Sequence, residues 1–144
     1  AISSLIARYA RSVDQADFAT LGRLFEDGKV TVAGSDLVLE GGAAIAAYWA
    51  EVNRSYGAAG LLTHHMISNL DFERIAGDRM RVGSYFVVFQ STPDFPLAPI
   101  VTGRYLDEFV QRDGNWRFAT KHIDVTLVGD VSHHLTMDLK QRAP

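Results

Sequence analysis

Four long runs fill most of the second half of the chain: "THHMISNLDFERIA", "RMRVGSYFVVFQST", "IVTGRYLDEFVQR" and "NWRFATKHIDVTLV". Each is rich in β-branched and aromatic residues at a period of two, the pattern of strands that pack on at least one face. "AGDR" joins the first to the second and "RDGN" the third to the fourth, and Asp113-Gly114 is a strong hairpin signal. The runs therefore predict a long antiparallel meander. "TPDFPLAP" separates the second run from the third and holds three of the four prolines, which predicts an irregular loop.

The first half reads differently. Ile2, Leu5, Ile6, Tyr9 and Val13 recur at helical spacing, and Phe18, Leu21, Leu24 and Phe25 repeat the pattern behind Asp17, a good N-cap. "KVTVAG" and "DLVLEG" flank Gly34-Ser35 as a short hairpin, and "GGAAIAAYWAEVNRSYG" predicts a helix stopped by Gly57. Helices followed by strands define an α+β fold. The expected architecture is a cone-shaped, curved antiparallel sheet with N-terminal helices on its concave face, open at one end to a small apolar ligand. Residues 1–144 are expected to form one domain, with 129–144 a C-terminal tail that frays or packs on a partner.

Several classes of function are disfavoured by composition. The formal net charge is −3, so no basic field draws nucleic acid or anionic lipid. There are no cysteines, which removes thiolate nucleophiles, thiolate metal sites and disulfides and suits a cytoplasmic location. No run is long and apolar enough to predict a membrane-spanning helix. Hydrolase elbows, dinucleotide-binding glycine motifs and phosphate-binding loops are all missing, and no metal or cofactor is expected.

The chemistry-bearing candidates are few. Asp14 ends the first helix at the edge of its apolar stripe, where partial desolvation should raise its pKa and make it a better base. The plainer reading is a solvated helix-end acid or a cap for the next helix, although Asp17 competes for the capping role. His64 and His65 open a strand and must face opposite sides of it. His65 shares a face with Ile67 and Asn69, suited to the polar end of a pocket; either histidine could instead be a core residue bonded to backbone. Gln90, Tyr105 and Asp107 lie on neighbouring strands, and Trp116, Phe118, Thr120, His122 and Asp124 alternate onto one face of the last. Tyr9 and Trp49 are helix-borne pocket candidates whose O–H and N–H need partners. Met66 lies beside His65 and is included among the substrate-binding candidates. His133 and His134, in the tail, read as surface or interface residues.

"RYARSVDQADFATLGRLF", "THHMISNLDFE" and "YLDEFVQRDGNWRFATKHID" together resemble the SnoaL-like branch of the nuclear transport factor 2-like superfamily, over nearly the whole chain. That superfamily hosts dehydratases, isomerases, cyclases, hydrolases and binders without activity. The resemblance implies an aspartate–histidine dyad at Asp14 and His65, with Tyr9 matching a tyrosine that precedes the aspartate by five residues in a bile acid dehydratase. Two positions depart from enzymes of the family. Gln90 stands where scytalone dehydratase has a second histidine, and Asp124 where the bile acid enzyme has an arginine.

The expected function is thus a cofactor-free lyase or isomerase, dehydratase-like, that removes a proton from a small apolar cyclic, polyketide-like or steroid-like molecule. Its expected catalytic residues are Asp14, His65 and Tyr9. Trp49, Met66, Gln90, Tyr105, His122 and Asp124 are the expected substrate contacts. The alternative is a binding or assembly module without catalysis. A homodimer or higher homo-oligomer is expected, since "SYFVVF" and "WRFATKHIDV" are apolar on both faces in places.

Overall fold

A computed structural model describes residues 1–139. Helix α1 (Ile2–Asp14) and helix α2 (Phe18–Leu24) are followed by the hairpin β1 (Lys29–Val32) and β2 (Val38–Glu40), then by helix α3 (Gly42–Val52) and a 3₁₀ turn (Gly57–Ala59). Four long strands complete the chain: β3 (Thr63–Ala76), β4 (Arg79–Thr92), β5 (Phe95–Arg112) and β6 (Asn115–Val128). The order across the sheet is β2-β1-β6-β5-β4-β3. The α+β class stands. The sheet is mixed, however, because β1 runs parallel to β6. That pairing follows from the β1–β2 hairpin joining the edge of the meander, a long-range choice invisible in strand periodicity.

The amphipathic pattern of α1 is the one the sequence predicts. Ile2, Ile6, Tyr9, Ala10 and Val13 are buried, and the helix lies against β3 and β6 on the concave face. Asp17 caps α2, its side chain accepting from Thr20 N at 3.0 Å. The Asp113-Gly114 turn has φ of +52° and +77°, the mirror-image geometry that matches strand twist. Bulges bend the strands: Asn69 (φ +55°) lies where the β3–β4 register shifts, and further shifts interrupt β5–β6. Each extra residue adds twist, and together they curl the sheet into the expected cone.

Four local expectations change. "TPDFPLAP" is a tight turn at Pro93-Asp94 and then the start of β5. Pro96 and Pro99 are tolerated because β6 pairs with β5 only from Val101 onward, so this part of β5 is an edge that needs no N–H on its open side. Helix α3 ends at Val52, and Gly57 (φ +63°) opens the next turn instead. In β6 the register slips at Ala119, which puts Phe118 and Lys121 on the concave face and His122 and Asp124 on the convex one. Lastly, residues 129–139 fold back on their own chain. Arg54 N donates to His134 O at 2.8 Å and Thr136 N to Val52 O at 2.9 Å. Residues 140–144, also assigned to the tail, lie outside the described residues. No helix among the described residues is long and apolar enough to cross a membrane.

Candidate active site

The last turn of α1 delivers Asp14 to the first residues of β3. Leu61 N donates to Asp14 O at 2.9 Å, and Gly60 makes the approach possible: a Cβ there would sit 2.4 Å from that same oxygen. The Asp14 carboxylate then meets β3 through four hydrogen bonds. Thr63 Oγ1 donates to Oδ1 at 2.7 Å, His65 N donates to Oδ2 at 3.0 Å and to Oδ1 at 3.2 Å, and His65 Nδ1 lies 2.6 Å from Oδ1. An ionised carboxylate only accepts, so this contact puts a proton on Nδ1 and, in the neutral ring, the lone pair on Nε2.

The pair is shielded: 7 % of the His65 side chain and 17 % of the Asp14 side chain are exposed. Burial works against the Asp14 charge, but the bonds from His65 and Thr63 and the charge of the imidazole outweigh it. The carboxyl is held below its ordinary value, contrary to the rise expected from desolvation alone. Asp14 is therefore an orienting anion rather than a base.

A second histidine closes over this pair. The rings of His134 and His65 meet edge to face at 6.1 Å, and His134 is 5 % exposed. Burial, then the neighbouring His65 charge, pushes its pKa down to about 4, with Asp14 opposing. Among the described residues its Nδ1 is buried with no hydrogen-bond partner. His134 reads from sequence as a surface residue; the backbone bonds of the 133–136 segment to α3 and the following turn carry it inside. The repeated His-His doublet was the available signal.

Below the dyad the cone floor is filled. Tyr9 and Tyr105 are both buried, their rings edge to face at 5.8 Å, and Phe86 stacks on Tyr105 at 4.3 Å. Gly103 gives Phe86 that room, since a Cβ would lie 2.6 Å from its ring. Beneath the phenols lies a fully buried ion pair, Lys121 Nζ to Asp107 Oδ1 at 3.0 Å, with Nζ 3.6 Å from the Tyr105 ring centroid and 4.1 Å from that of Tyr9. Burial pushes Asp107 up and Lys121 down, and their attraction opposes both shifts. Burial also raises both phenols above their ordinary value, keeping them as neutral donors.

The remaining candidates divide by face. Trp49 is buried in the core on α3, and Gln90 is buried beside the dyad strand, its amide donating to Leu61 O and His133 O. Gln90 is thereby a strap holding the C-terminal segment in place. Met66 is 59 % exposed on the convex side, because it alternates with His65. His122 and Asp124 are also convex; His122 Nδ1 shares a 2.7 Å hydrogen bond with Thr31 Oγ1. None of these three is brought to the dyad, which corrects their expected place. Among the described residues no cluster suited to a metal ion occurs.

A cleft of about 490 Å³ opens beside Asp14. Ala59, Leu62, Phe89 and Leu97 make much of its wall apolar, while Arg11, Thr63 and Gln90 supply polar groups. Arg11 was not among the sequence candidates, since it sits on the polar side of the helical wheel.

A curved sheet covered by helices on its concave face, with a shielded carboxylate–imidazole pair where the first helix meets β3, defines a small α+β protein. The family is settled by the match of residues 1–122 to the SnoaL-like domain: the chain belongs to that family, within the nuclear transport factor 2-like superfamily. No curated protein is a significant match. Solved structures agree on the fold. A single-residue variant of Rv3472 from Mycobacterium tuberculosis, a protein of unknown function, is 28 % identical with a TM-score of 0.71, over 88 % of this chain and 71 % of that one. A Novosphingobium aromaticivorans protein provisionally assigned as a scytalone dehydratase is 23 % identical with a TM-score of 0.74, over 100 % and 90 %. A second protein of that organism, NTF2-like with a cystatin-like fold, is 24 % identical with a TM-score of 0.70, over 86 % and 79 %.

Proposed function

We infer that the chain is a cofactor-free lyase or isomerase in which His65 moves a proton and Asp14 orients and charges it for that task. The observation that carries this reading is the 2.6 Å contact from His65 Nδ1 to a carboxylate kept ionised in a shielded site. His65 Nε2 takes a proton from carbon next to a carbonyl, and the C–H electrons pass into a new C=C bond with charge developing on the carbonyl oxygen. Asp14 stabilises the imidazolium. A hydroxyl on the next carbon leaves with the proton returned from Nε2, which gives dehydration; return of that proton to a different carbon gives isomerisation. Tyr9 and Tyr105 are neutral phenols suited to donating to the oxyanion. The partly apolar cleft beside Asp14 suits a small cyclic, polyketide-like or steroid-like carbonyl compound, although His65, Tyr9 and Tyr105 are not among its lining residues and the compound must reach past Thr63 to meet them. The convex face, which exposes Met66, Tyr85, Leu106 and Leu127, suits a second copy of the chain.

The filled cone floor and the His134 ring against His65 favour a second reading, a binding or assembly module. One experiment separates the two. Cyclic enones and β-hydroxy ketones that raise the melting temperature are incubated with the protein in D₂O and followed by NMR. Catalysis requires deuterium uptake or alkene formation that falls ~10²–10⁴-fold in His65→Gln. Binding without exchange in the wild type selects the module.

A further inference from the structure

At the end of the sheet opposite the dyad lies a second cleft, of about 460 Å³. Arg79 opens β4 beside this cleft and Gln90 lies near the far end of the same strand beside the first, so the two are separated by roughly 35 Å at ~3.3 Å per strand residue. Five arginines line it: Arg8 from α1, Arg23 from α2, Arg79 from β4, and Arg112 and Arg117 flanking the β5–β6 turn. The chain has a formal net charge of −3, yet here five guanidinium groups face only two lining carboxylates, Glu26 and Asp27. Two of the five are engaged elsewhere. Arg79 Nη1 lies 3.6 Å from Glu108 Oε2, and Arg23 Nη2 donates to Thr20 Oγ1 at 2.7 Å. Among the described residues Arg8, Arg112 and Arg117 have no side-chain ion pair or hydrogen bond.

The lining is mixed, and its polar surface exceeds its apolar surface. Trp116 contributes an indole, and Leu24 and Val110 add aliphatic surface. Like charges gathered at a concave site add to a positive potential there. Guanidinium forks match the paired oxygens of carboxylates and phosphates, and an indole offers a stacking face. A cavity of this size takes a small ligand rather than a nucleic-acid backbone.

We propose that this cleft is a binding site, separate from the dyad, for a small organic anion: a phosphate ester or carboxylate on an apolar, preferably aromatic, body. Arg8, Arg112 and Arg117 bind the oxyanion and Trp116 receives the body. Arg79 and Arg23 add long-range attraction.

The chain has two tryptophans, and only Trp116 lines this cleft; Trp49, buried on α3, is an internal reference for its indole N–H resonance. The resonance lost in Trp116→Phe identifies that of Trp116. Titrating phenyl phosphate or benzoate into the ¹⁵N-labelled full chain is expected to shift the Trp116 indole saturably, with a Kd below about 1 mM, while the Trp49 indole stays in place. Arg112→Gln/Arg117→Gln should weaken that binding about tenfold or more, and Arg8→Gln should weaken it as well. Benzyl alcohol, which lacks the charge, should leave Trp116 unmoved. The proposal is overturned if neither anion shifts Trp116, if the Trp49 resonance moves in its place, or if the double variant binds as well as the wild type. Binding of an acidic peptide without either small anion also overturns it.

Discussion

Asp14 is the residue on which the proposed chemistry turns, and its hydrogen bonds suggest the part it would play. Three donors from β3 converge on one carboxylate, which at once ties the end of a helix to the start of a strand and fixes the imidazole tautomer. Asp14→Asn keeps the volume but offers an N–H₂ where His65 Nδ1–H points. Turnover of any substrate found by the enone screen should fall by ~10²–10⁴-fold, and steady-state kinetics on the folded variant would show it. An unchanged kcat would remove Asp14 from the mechanism. His134 carries a separate expectation. Its pKa is depressed from 6.5 to about 4 by burial, so the folded state binds its proton later than the unfolded state does. The stability it contributes is full above about pH 6.5 and is lost progressively as pH falls toward 4, by on the order of 3 kcal/mol. Urea midpoints at pH 7, 5.5 and 4.5 should fall more steeply for the wild type than for His134→Phe. Neither Lys121 nor His134 could be read as a site residue from the chain alone. Lysine is rarely fully buried, so Lys121 passes for a solvated strand residue until Asp107 is seen opposite it.

At the scale of elements, local signals were sound where one residue decides the geometry. The Asp17 cap, the Asp113-Gly114 turn and the α1 stripe depend on near neighbours and were legible. The two faces of β6 were not, because an extra residue at Ala119 inverts the side chains from Thr120 to Val125 until a second one at Thr126 restores the order, and a period-of-two count runs straight through both. The C-terminal segment failed for a related reason: its partners, Val52, Arg54 and Tyr56, are some eighty residues away. The joint between α1 and β3 is itself testable. Gly60 combines φ +70° with contact against Asp14 O, whereas Gly57 has φ +63° and open space around its Cβ position. Gly57→Ala should cost about 1 kcal/mol through backbone strain alone. Gly60→Ala should cost more, and should also move the His65 ring ¹⁵N shifts, since displacing the turn pulls Asp14 away from β3. Equal urea midpoints and unchanged ring shifts in the two variants would mean that Gly60 does not set the dyad.

Taken whole, the molecule uses its two sheet faces differently. The concave face is covered by helices and carries the dyad; the convex face leaves Met66 59 %, Leu127 57 %, Tyr85 49 % and Leu106 45 % exposed. These four side chains come from β3, β6, β4 and β5 and share one side of the sheet through the observed registers. They share that face with Arg104, which lies over the Tyr85 ring, and with His122 and Asp124, a mixed apolar and polar surface of the kind protein interfaces use. Burial of such a surface in a symmetric dimer would give each side chain roughly 1–2 kcal/mol of transfer free energy. A charge placed there should therefore act on assembly without touching the fold, because Leu106 faces away from the core contacts that Tyr105 and Asp107 make on the other side of the sheet. Leu106→Glu is expected to convert a dimer to a monomer in sedimentation velocity, with its far-ultraviolet circular dichroism and ligand-induced melting shift retained. If the wild type sediments as a monomer at tens of micromolar, the convex face has some other use. If Leu106→Glu remains a dimer, the two copies meet through a different surface.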